Sequence, residues 1–244
     1  MDGDPGDLLD RISVATGRLL TTAATLTDSQ ARAPSPLPGW SRGHVLTHLA
    51  RNADGLRNLL IWARTGVPTP QYPSAQARDE AIEAGSGRPA GELAADLRAS
   101  AGAFLAEAEI LTDSAWQVSV RAMRGPEHPA WVALWRRLSE VEIHHVDLDA
   151  GYRPEDWPGR FVTDCLGTVA GAFTGARHAP PALLSDTGTG RTYQIGPADA
   201  GGVAGPRVEV AGPGHQLLAW LTGRSSGAGL TAEPGGQLPA LPAW

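Results

Sequence analysis

Apolar side chains recur at helical spacing in four stretches of the first 150 residues, each bounded by capping or turn residues. Ser41 is a natural N-cap for the second stretch, and Pro89 and Pro129 stand where first-turn prolines would open the third and fourth. The stretches cover residues 8–26, 42–65, 89–111 and 129–148. They predict an antiparallel four-helix bundle, with a shorter helix at 75–83.

The pattern changes after about residue 158, where shorter elements of mixed type follow. The best candidates are a helix at 161–173, strands at 191–195 and 207–211 bounded by Gly or Pro, and a helix at 213–221. They predict a small α+β domain, of ordinary size for a second domain. We therefore expect a mainly α protein, with the bundle in residues 1–155 and the α+β domain in residues 156–244.

Composition restricts the partners of the protein. The net charge is −6 and no basic tract is present, so nucleic acid and anionic membranes are not expected partners. The sequence has no apolar run long enough to span a membrane, and its acidic start lacks the layout of a signal peptide. We expect a cytoplasmic protein, either a monomer or a small homo-oligomer.

Two absences restrict the chemistry. Cys165 is the only cysteine, which excludes a disulfide framework and a cysteine-rich zinc knuckle. Its Ala/Gly-rich helical surroundings favour a small core residue over a nucleophile. All 20 basic residues are arginine, so a lysine Schiff base and a lysine general base are both excluded. Catalysis must come from His, Asp, Glu, Arg, hydroxyl groups, or a bound metal or cofactor.

The second predicted helix carries two histidines one helical turn apart. His48 falls at the edge of the apolar stripe, whereas His44 lies about 40° further toward solvent. His48 is therefore the better inward-facing ligand. A hydrogen-bonded core histidine is the simpler alternative when this helix is considered alone.

The fourth predicted helix carries two Glu/His pairs. Glu142 and His145 fall within its main apolar stripe, and Glu-x-x-His is a metal-binding spacing in helical bundles. Glu140 and His144 lie on the other side, where further apolar residues indicate a helix buried on more than one side. Periodicity mildly favours Glu142/His145 and does not exclude Glu140/His144. The simpler alternative is that the acidic residues are solvated. Asp147 either orients a metal-bound imidazole or is a surface acid at the helix end.

One histidine from the second helix and a Glu/His pair from the fourth provide three protein ligands for a metal. Three protein ligands leave a coordination position open, which is typical of a catalytic metal and not of a structural one. The spacing therefore predicts a catalytic metal site inside the bundle, with the choice between the two Glu/His pairs still open.

Five segments, taken together, match the pattern of a known family. They are Gly39–His48, the pair Asn52-Ala53, and residues 62–66, 140–148 and 218–224. The chain resembles the mycothiol-dependent maleylpyruvate isomerase family over nearly its whole length, and nothing is carried over within residues 177–205. The resemblance implies a DinB-like antiparallel four-helix bundle followed by a small α+β domain.

The resemblance also implies a set of site residues. The metal ligands of the family fall on His48, Glu140 and His144, against the mild preference of the periodicity. Glu142 and His145 occupy positions that the family pattern does not require.

An arginine implicated in the family's activity falls on Arg224. A guanidinium there can hold a carboxylate of the substrate or of the thiol cofactor bidentately. Alternatively, Arg224 neutralises a helix C-terminus. The implied cofactors are Zn²⁺, or another divalent metal, and mycothiol, a low-molecular-weight thiol.

The implied function is cis–trans isomerisation of a maleylpyruvate-like enedioic keto acid. A metal bound to the mycothiol sulfur would lower the pKa of the thiol and give a thiolate at neutral pH. The thiolate adds to the double bond, the new single bond rotates, and elimination regenerates the thiol. A mycothiol S-transferase that stops after addition, and a non-enzymatic metal-binding interaction module, are the alternatives.

Overall fold

A computed structural model describes residues 4–174, 176, 178–197 and 208–242 of the chain. Within these residues the chain forms nine α-helices, one short 3₁₀ helix and six β-strands. Contacts divide the chain into two compact units, Met1–Tyr152 and Arg153–Trp244, called the first and second units below. The mainly α fold class is confirmed, and the domain boundary expected after residue 155 stays a prediction.

Four long helices dominate the first unit, as the apolar pattern predicts. The elements in chain order are α1 (Pro5–Thr25), α2 (Asp28–Arg32), α3 (Arg42–Thr65), α4 (Ala75–Ser86), α5 (Ala90–Glu109), α6 (Asp113–Trp116), β1 (Ser119–Arg121), β2 (Glu127–Pro129) and α7 (Val132–Asp147). Helix α3 packs against α4, α5 and α7, and α1 packs against α5 and α7. The short helices α2 and α6 and the β1–β2 hairpin were not predicted.

Local sequence determines both ends of α3, the helix that carries His44 and His48. The Ser41 side chain accepts a hydrogen bond from the His44 backbone N–H, and the His44 Nδ1 atom accepts one from the Ser41 N–H at 3.1 Å. This reciprocal pair is a capping box. At the other end Gly66 has a φ of 72°, in the left-handed region that favours glycine. The predicted N-cap and the predicted helix end are both confirmed.

The start of α7 differs from the prediction. Pro129 does not open the helix; it ends strand β2, where it lies opposite Ser119 in the antiparallel pair with β1. Proline fixes its own φ and biases the preceding residue toward extended backbone, which suits a strand end as well as a helix start. Helix α7 therefore begins only at Val132.

The helices of the first unit share an apolar core. Leu46 of α3 and Phe104 of α5 are fully buried, and burial of each such side chain contributes about 1.5 to 3 kcal/mol. Helix α7 buries Leu138, Val141 and Ile143, none of which is more than 2% exposed. These residues lie on different sides of α7, which confirms the expectation that this helix is buried on more than one side.

Two glycines allow α4 to lie directly against α3. A Cβ atom on Gly43 of α3 would collide with the Ser86 carbonyl oxygen, and one on Gly85 of α4 would collide with the Thr47 side chain. At Gly43 the obstacle is backbone, so only glycine allows the two helices to approach so closely there. The contact brings the side chains of α4 next to the N-terminal part of α3.

The second unit combines two helices with a four-stranded sheet. Its elements are a 3₁₀ helix (Pro154–Asp156), α8 (Gly159–Thr174), β3 (Ala182–Asp186), β4 (Thr192–Ile195), β5 (Val208–Gly212), α9 (Gly214–Leu221) and β6 (Thr231–Glu233). The strand order is β4-β3-β5-β6, with β3 and β5 parallel and the other pairs antiparallel. The sequence predicted α8, β4, β5 and α9 but not β3 or β6.

The strand predicted at 207–211 corresponds to β5, and its first residue, Arg207, lies outside the described residues. None of the helices in the described ranges combines the length and the apolar composition that a membrane span requires.

Candidate metal centre

His48 lies on the buried side of α3 and is 4% exposed. Its Nε2 atom lies 2.9 Å from Oε2 of Glu140 on α7. The edge of Trp40 lies against the imidazole, with 5.5 Å between the ring centroids, and Arg78 of α4 donates from Nη2 to Nδ1 at 3.2 Å. Side chains from three separate segments therefore fix the orientation of this imidazole.

His144 lies one helical turn after Glu140 on α7, so the two side chains share a face. Its Nε2 atom lies 3.2 Å from the same Glu140 oxygen that contacts His48. The two imidazole rings are nearly perpendicular, at 85°, with 4.7 Å between their centroids. One donor atom from each of the three side chains lies within 4.8 Å of the other two. The structure thus brings together the three residues that the family resemblance indicated.

Burial and mutual charge shift the pKa values of these residues. Burial acts to raise the pKa of Glu140, but the charges and hydrogen bonds of the two histidines outweigh it and hold that pKa well below its usual range. Burial lowers the pKa of His48, which the Glu140 carboxylate only partly offsets. Burial also acts to lower the pKa of His144, but hydrogen bonds to Asp147 and Glu140 raise it above its ordinary value. Glu140 is therefore an ionised carboxylate at neutral pH, as a metal ligand must be.

Asp147 orients the imidazole of His144. Its side chain is 1% exposed, and its Oδ2 atom accepts a hydrogen bond from His144 Nδ1 at 2.7 Å. A carboxylate in this position is usual behind a metal-bound imidazole, because it fixes the tautomer and the ring orientation. Of the two alternatives that the sequence left for Asp147, the structure has the orienting one.

The other Glu/His pair on α7 faces a different helix. Glu142 is 1% exposed and accepts hydrogen bonds from Arg18 of α1 and from the Tyr152 hydroxyl, each at 2.6 Å. The His145 ring stacks on Tyr152, 7° from parallel, and its Nε2 atom lies 2.7 Å from Oγ1 of Thr22. Periodicity correctly placed this pair in the interior, but the pair packs toward α1 and not toward α3.

His44, the second histidine on α3, contacts groups near the start of that helix. Besides its part in the capping box, its Nε2 atom lies 3.1 Å from Oε2 of Glu83 on α4. The expectation that His48, and not His44, is the inward-facing histidine is confirmed.

The donor set fits a small divalent metal. Two imidazole nitrogens and one carboxylate oxygen are the donors of His₂Glu catalytic zinc sites, in which tetrahedral ligands lie about 3.4 Å apart. The two separations from Glu140 Oε2 are 2.9 and 3.2 Å. Moreover, when His144 is neutral and donates through Nδ1, its Nε2 atom carries a lone pair that faces a Glu140 oxygen. The lone pair and the carboxylate repel each other unless a proton or a metal ion lies between them. The three side chains can therefore hold such an ion when the His48 proton lies on Nδ1, where it takes the place of the hydrogen bond from Arg78.

A cavity of about 300 Å³ opens beside these residues. Its volume is at the lower end of the range for small-molecule sites. His48 and Glu140 contribute to its lining, together with three arginines, Arg78, Arg124 and Arg136. The remaining lining side chains are uncharged: Asn52, Gln71, Tyr72 and Met123.

Arg137 is a fully buried arginine that contacts Asn52, one of the residues that line the cavity. Its Nη1 atom donates to the Leu49 carbonyl oxygen at 2.8 Å and to Asn52 Oδ1 at 3.0 Å. Because Leu49 directly follows His48, this side chain connects the helix that carries Glu140 to the helix that carries His48. Burial lowers the pKa of Arg137 to about 10, so the guanidinium remains charged at neutral pH.

The remaining candidates lie in the second unit. Arg224 follows α9, and its Nη1 atom donates to the carbonyl oxygen of the C-cap residue Thr222 at 2.5 Å. This contact is expected of an arginine that neutralises a helix C-terminus. The role of Arg224 in activity stays a prediction. Cys165 is 2% exposed in α8, and burial raises the pKa of its thiol to about 12, so it is a core residue as predicted.

The arginines around the cavity were not predicted from the sequence. Arg136 has one signal, since it precedes Glu140 by four residues and so shares its helix face. Arg78 and Arg124 have no such signal, because they lie on separate segments that only the tertiary structure brings together. Arg137 was missed because charged side chains are rarely buried.

The fold and the site define a class of protein, namely a helical bundle that holds two histidines and a glutamate beside a small-molecule cavity. The family model described as mycothiol maleylpyruvate isomerase N-terminal domain matches residues 12–149, and the MDMPI C-terminal domain model matches residues 156–243. The chain belongs to the mycothiol maleylpyruvate isomerase family. The resemblance inferred from its sequence is confirmed.

Two solved structures are similar to this chain over its whole length. One is the crystal structure of the mycothiol-dependent maleylpyruvate isomerase, at 28% identity and a TM-score of 0.92, covering 100% of this chain and 98% of that one. The other is a variant of that enzyme with one histidine replaced by alanine, at the same identity, coverage and TM-score. No curated protein matches the chain significantly. The predicted fold is confirmed by these structures.

Proposed function

We propose that the protein is a mycothiol-dependent maleylpyruvate isomerase, an enzyme that converts a cis enedioic keto acid into its trans isomer. The observation that carries the proposal is the convergence of His48, Glu140 and His144 beside the arginine-lined cavity. Membership of the family and the close likeness to a solved isomerase support it.

His48, Glu140 and His144 are the proposed ligands of a divalent metal, and zinc is the ion that this donor set suits best. When bound, the metal lowers the pKa of the cofactor thiol and so supplies the thiolate that the isomerisation requires. His48 and His144 both direct Nε2 toward Glu140. Asp147 holds the Nδ1 proton of His144, which leaves the Nε2 lone pair available to the ion.

The remaining residues supply binding and orientation instead of a nucleophile of their own. The chain has no lysine, and its one cysteine, Cys165, is buried with a raised thiol pKa. Arg137 ties α7 to α3 at the residue after His48, which keeps the ligands of the two helices in register. Arg224 is proposed to assist catalysis by binding a carboxylate, as the family resemblance implies.

The two alternative functions are not favoured. The family and both similar structures carry the name of an isomerase, and neither a thiol S-transferase nor a non-enzymatic metal-binding module matches that name. The identity of the metal in the cell, a cytoplasmic location, a monomeric or small homo-oligomeric state, and the lack of nucleic-acid and membrane partners stay predictions.

The test is to incubate zinc-loaded protein with maleylpyruvate, with and without mycothiol, and to follow the geometry of the double bond by proton NMR. We expect conversion to the trans isomer only when the thiol is present, with no net consumption of the thiol. Chelated protein should be inactive and should recover when zinc is restored. Turnover without thiol, or none with thiol, contradicts the proposal, and accumulation of a thiol–substrate adduct indicates an S-transferase.

A further inference from the structure

Arg136 is a half-buried arginine that lines the cavity. It lies four residues before Glu140 on α7 and lines the cavity with it. Burial lowers the pKa of its guanidinium, which the Glu140 charge partly offsets. Within the part of the chain that the structure describes, Arg136 makes no hydrogen bond and no ion pair. The Glu140 carboxylate that gives this offset is already contacted by two histidines.

Two more guanidinium groups line the same cavity. Arg78 is paired, because it contacts His48 and a neighbouring acid. Arg124 is exposed in the turn between β1 and β2, and among the described residues it too has no hydrogen bond or ion pair. The Gln71 side chain accepts a hydrogen bond from the Met123 N–H at 2.9 Å, which anchors the segment that bears Arg124 beside the cavity.

The lining of the cavity therefore has three positive charges and one negative charge, and the negative charge belongs to the metal-ligand cluster. A half-buried guanidinium has lost part of its hydration, so a hydrogen-bonded anion stabilises it more than it would stabilise an exposed one. Its planar fork matches the two oxygens of a carboxylate. These properties favour a small organic acid as the occupant of the cavity.

We propose that Arg136, assisted by Arg124, is the subsite for one carboxylate of the substrate, and that it makes the protein select dicarboxylic over monocarboxylic acids. The inference rests on the proposed function for the identity of the substrate and extends it by assigning the residues that recognise the substrate. With one carboxylate fixed by Arg136, the double bond is positioned by a contact that does not depend on the metal.

The test compares Arg136→Gln and Arg136→Lys with the control Arg98→Gln. Arg98 is exposed on α5, outside the cavity lining, and its replacement removes the same charge. The probe is maleate, titrated calorimetrically into zinc-loaded protein, with the cis monocarboxylate isocrotonate as comparison. We expect Arg136→Gln to weaken maleate binding on the order of 10- to 100-fold. Arg136→Lys, which keeps the charge but not the fork, should lose less, and Arg98→Gln should bind as the unchanged protein does.

Three further readouts distinguish the subsite from other roles. Isocrotonate binding should change little in Arg136→Gln, the zinc content should stay stoichiometric, and in the isomerase assay KM should rise more than kcat falls. Unchanged maleate binding in Arg136→Gln, or loss of zinc from it, would overturn the inference. If maleate binding depends on Arg136 but no isomerisation occurs, the subsite stands and the proposed function fails.

Discussion

The Nδ1 atom of His144 lies 2.7 Å from Oδ2 of Asp147, three residues further along α7. Both residues are in the last turn of the helix, where this spacing places side chains on one face. Asp147 is buried, and the opposite ring nitrogen of His144 faces Glu140. The imidazole is therefore held from both sides, and its ligand atom points toward the proposed metal position.

Replacement of Asp147 by asparagine should weaken metal binding without removing a ligand. The amide keeps the size of the side chain but not its charge, and loss of such a partner typically lowers metal affinity about 10- to 100-fold. Competition with a chromophoric zinc chelator measures this. The control is Asp149→Asn, because Asp149 is exposed and has a φ of 46°, which asparagine tolerates. Equal losses in the two variants would contradict the orienting role.

Alanine variants distinguish the three proposed metal ligands from His145, the other histidine of α7. His48→Ala, Glu140→Ala and His144→Ala should each be purified without stoichiometric zinc, because each loses one of three donors. His145→Ala should retain zinc, although loss of its stack on Tyr152 lowers the free energy of unfolding by about 1 to 3 kcal/mol. Elemental analysis and thermal unfolding measure these effects. A His144→Ala variant that keeps both metal and activity would refute the ligand assignment.

The Cys165 thiol should be unreactive in the folded protein. Burial raises the pKa of the thiol to about 12, and with 2% exposure it is protonated and inaccessible at neutral pH. A chromogenic disulfide reagent should label no site in the native protein and one site in guanidinium chloride. Cys165→Ala should keep the thiol-dependent isomerase activity. Rapid labelling under native conditions would show that the thiol is accessible, and loss of activity without unfolding would show that the protein uses a thiol of its own.

Gly43→Ala should destabilise the contact between α3 and α4. The added methyl group collides with the Ser86 carbonyl oxygen, and such overpacking costs about 1 to 3 kcal/mol. Gly102→Ala on α5 is the matched control, because nothing lies within 4 Å of the added atom. There the change should stabilise the helix by about 0.5 to 1 kcal/mol. Urea unfolding of both variants measures the two effects, and the same sign in both would contradict the argument.

Replacement of Arg224 by glutamine separates its two proposed roles. If its guanidinium binds a carboxylate during catalysis, kcat/KM should fall by about tenfold or more at an unchanged zinc content. If it serves only the C-terminus of α9 through Thr222, the melting temperature should fall while kcat/KM stays the same. Steady-state kinetics and thermal unfolding of the one variant distinguish these outcomes.

Much of the fold follows from local sequence. The capping box at Ser41 and the left-handed Gly66 bound α3 where the pattern predicts, because caps act within one helical turn. Pro129 was assigned to the wrong element, since its fixed φ suits a strand end and a helix start alike. Strands β3 and β6 were missed because pairing with partners distant in the chain defines them.

The sequence by itself determined the donor types, their helical spacing, the lack of lysine and the presence of a single cysteine, because these depend only on which residues are present and in what order. The tertiary structure decided which Glu/His pair of α7 meets His48. Helix α7 is buried on two sides, so burial cannot distinguish the pair that faces α3 from the pair that faces α1. The tertiary structure also brought Arg78, Arg124 and Arg136 to one cavity, because side chains from three separate segments converge only when the helices pack.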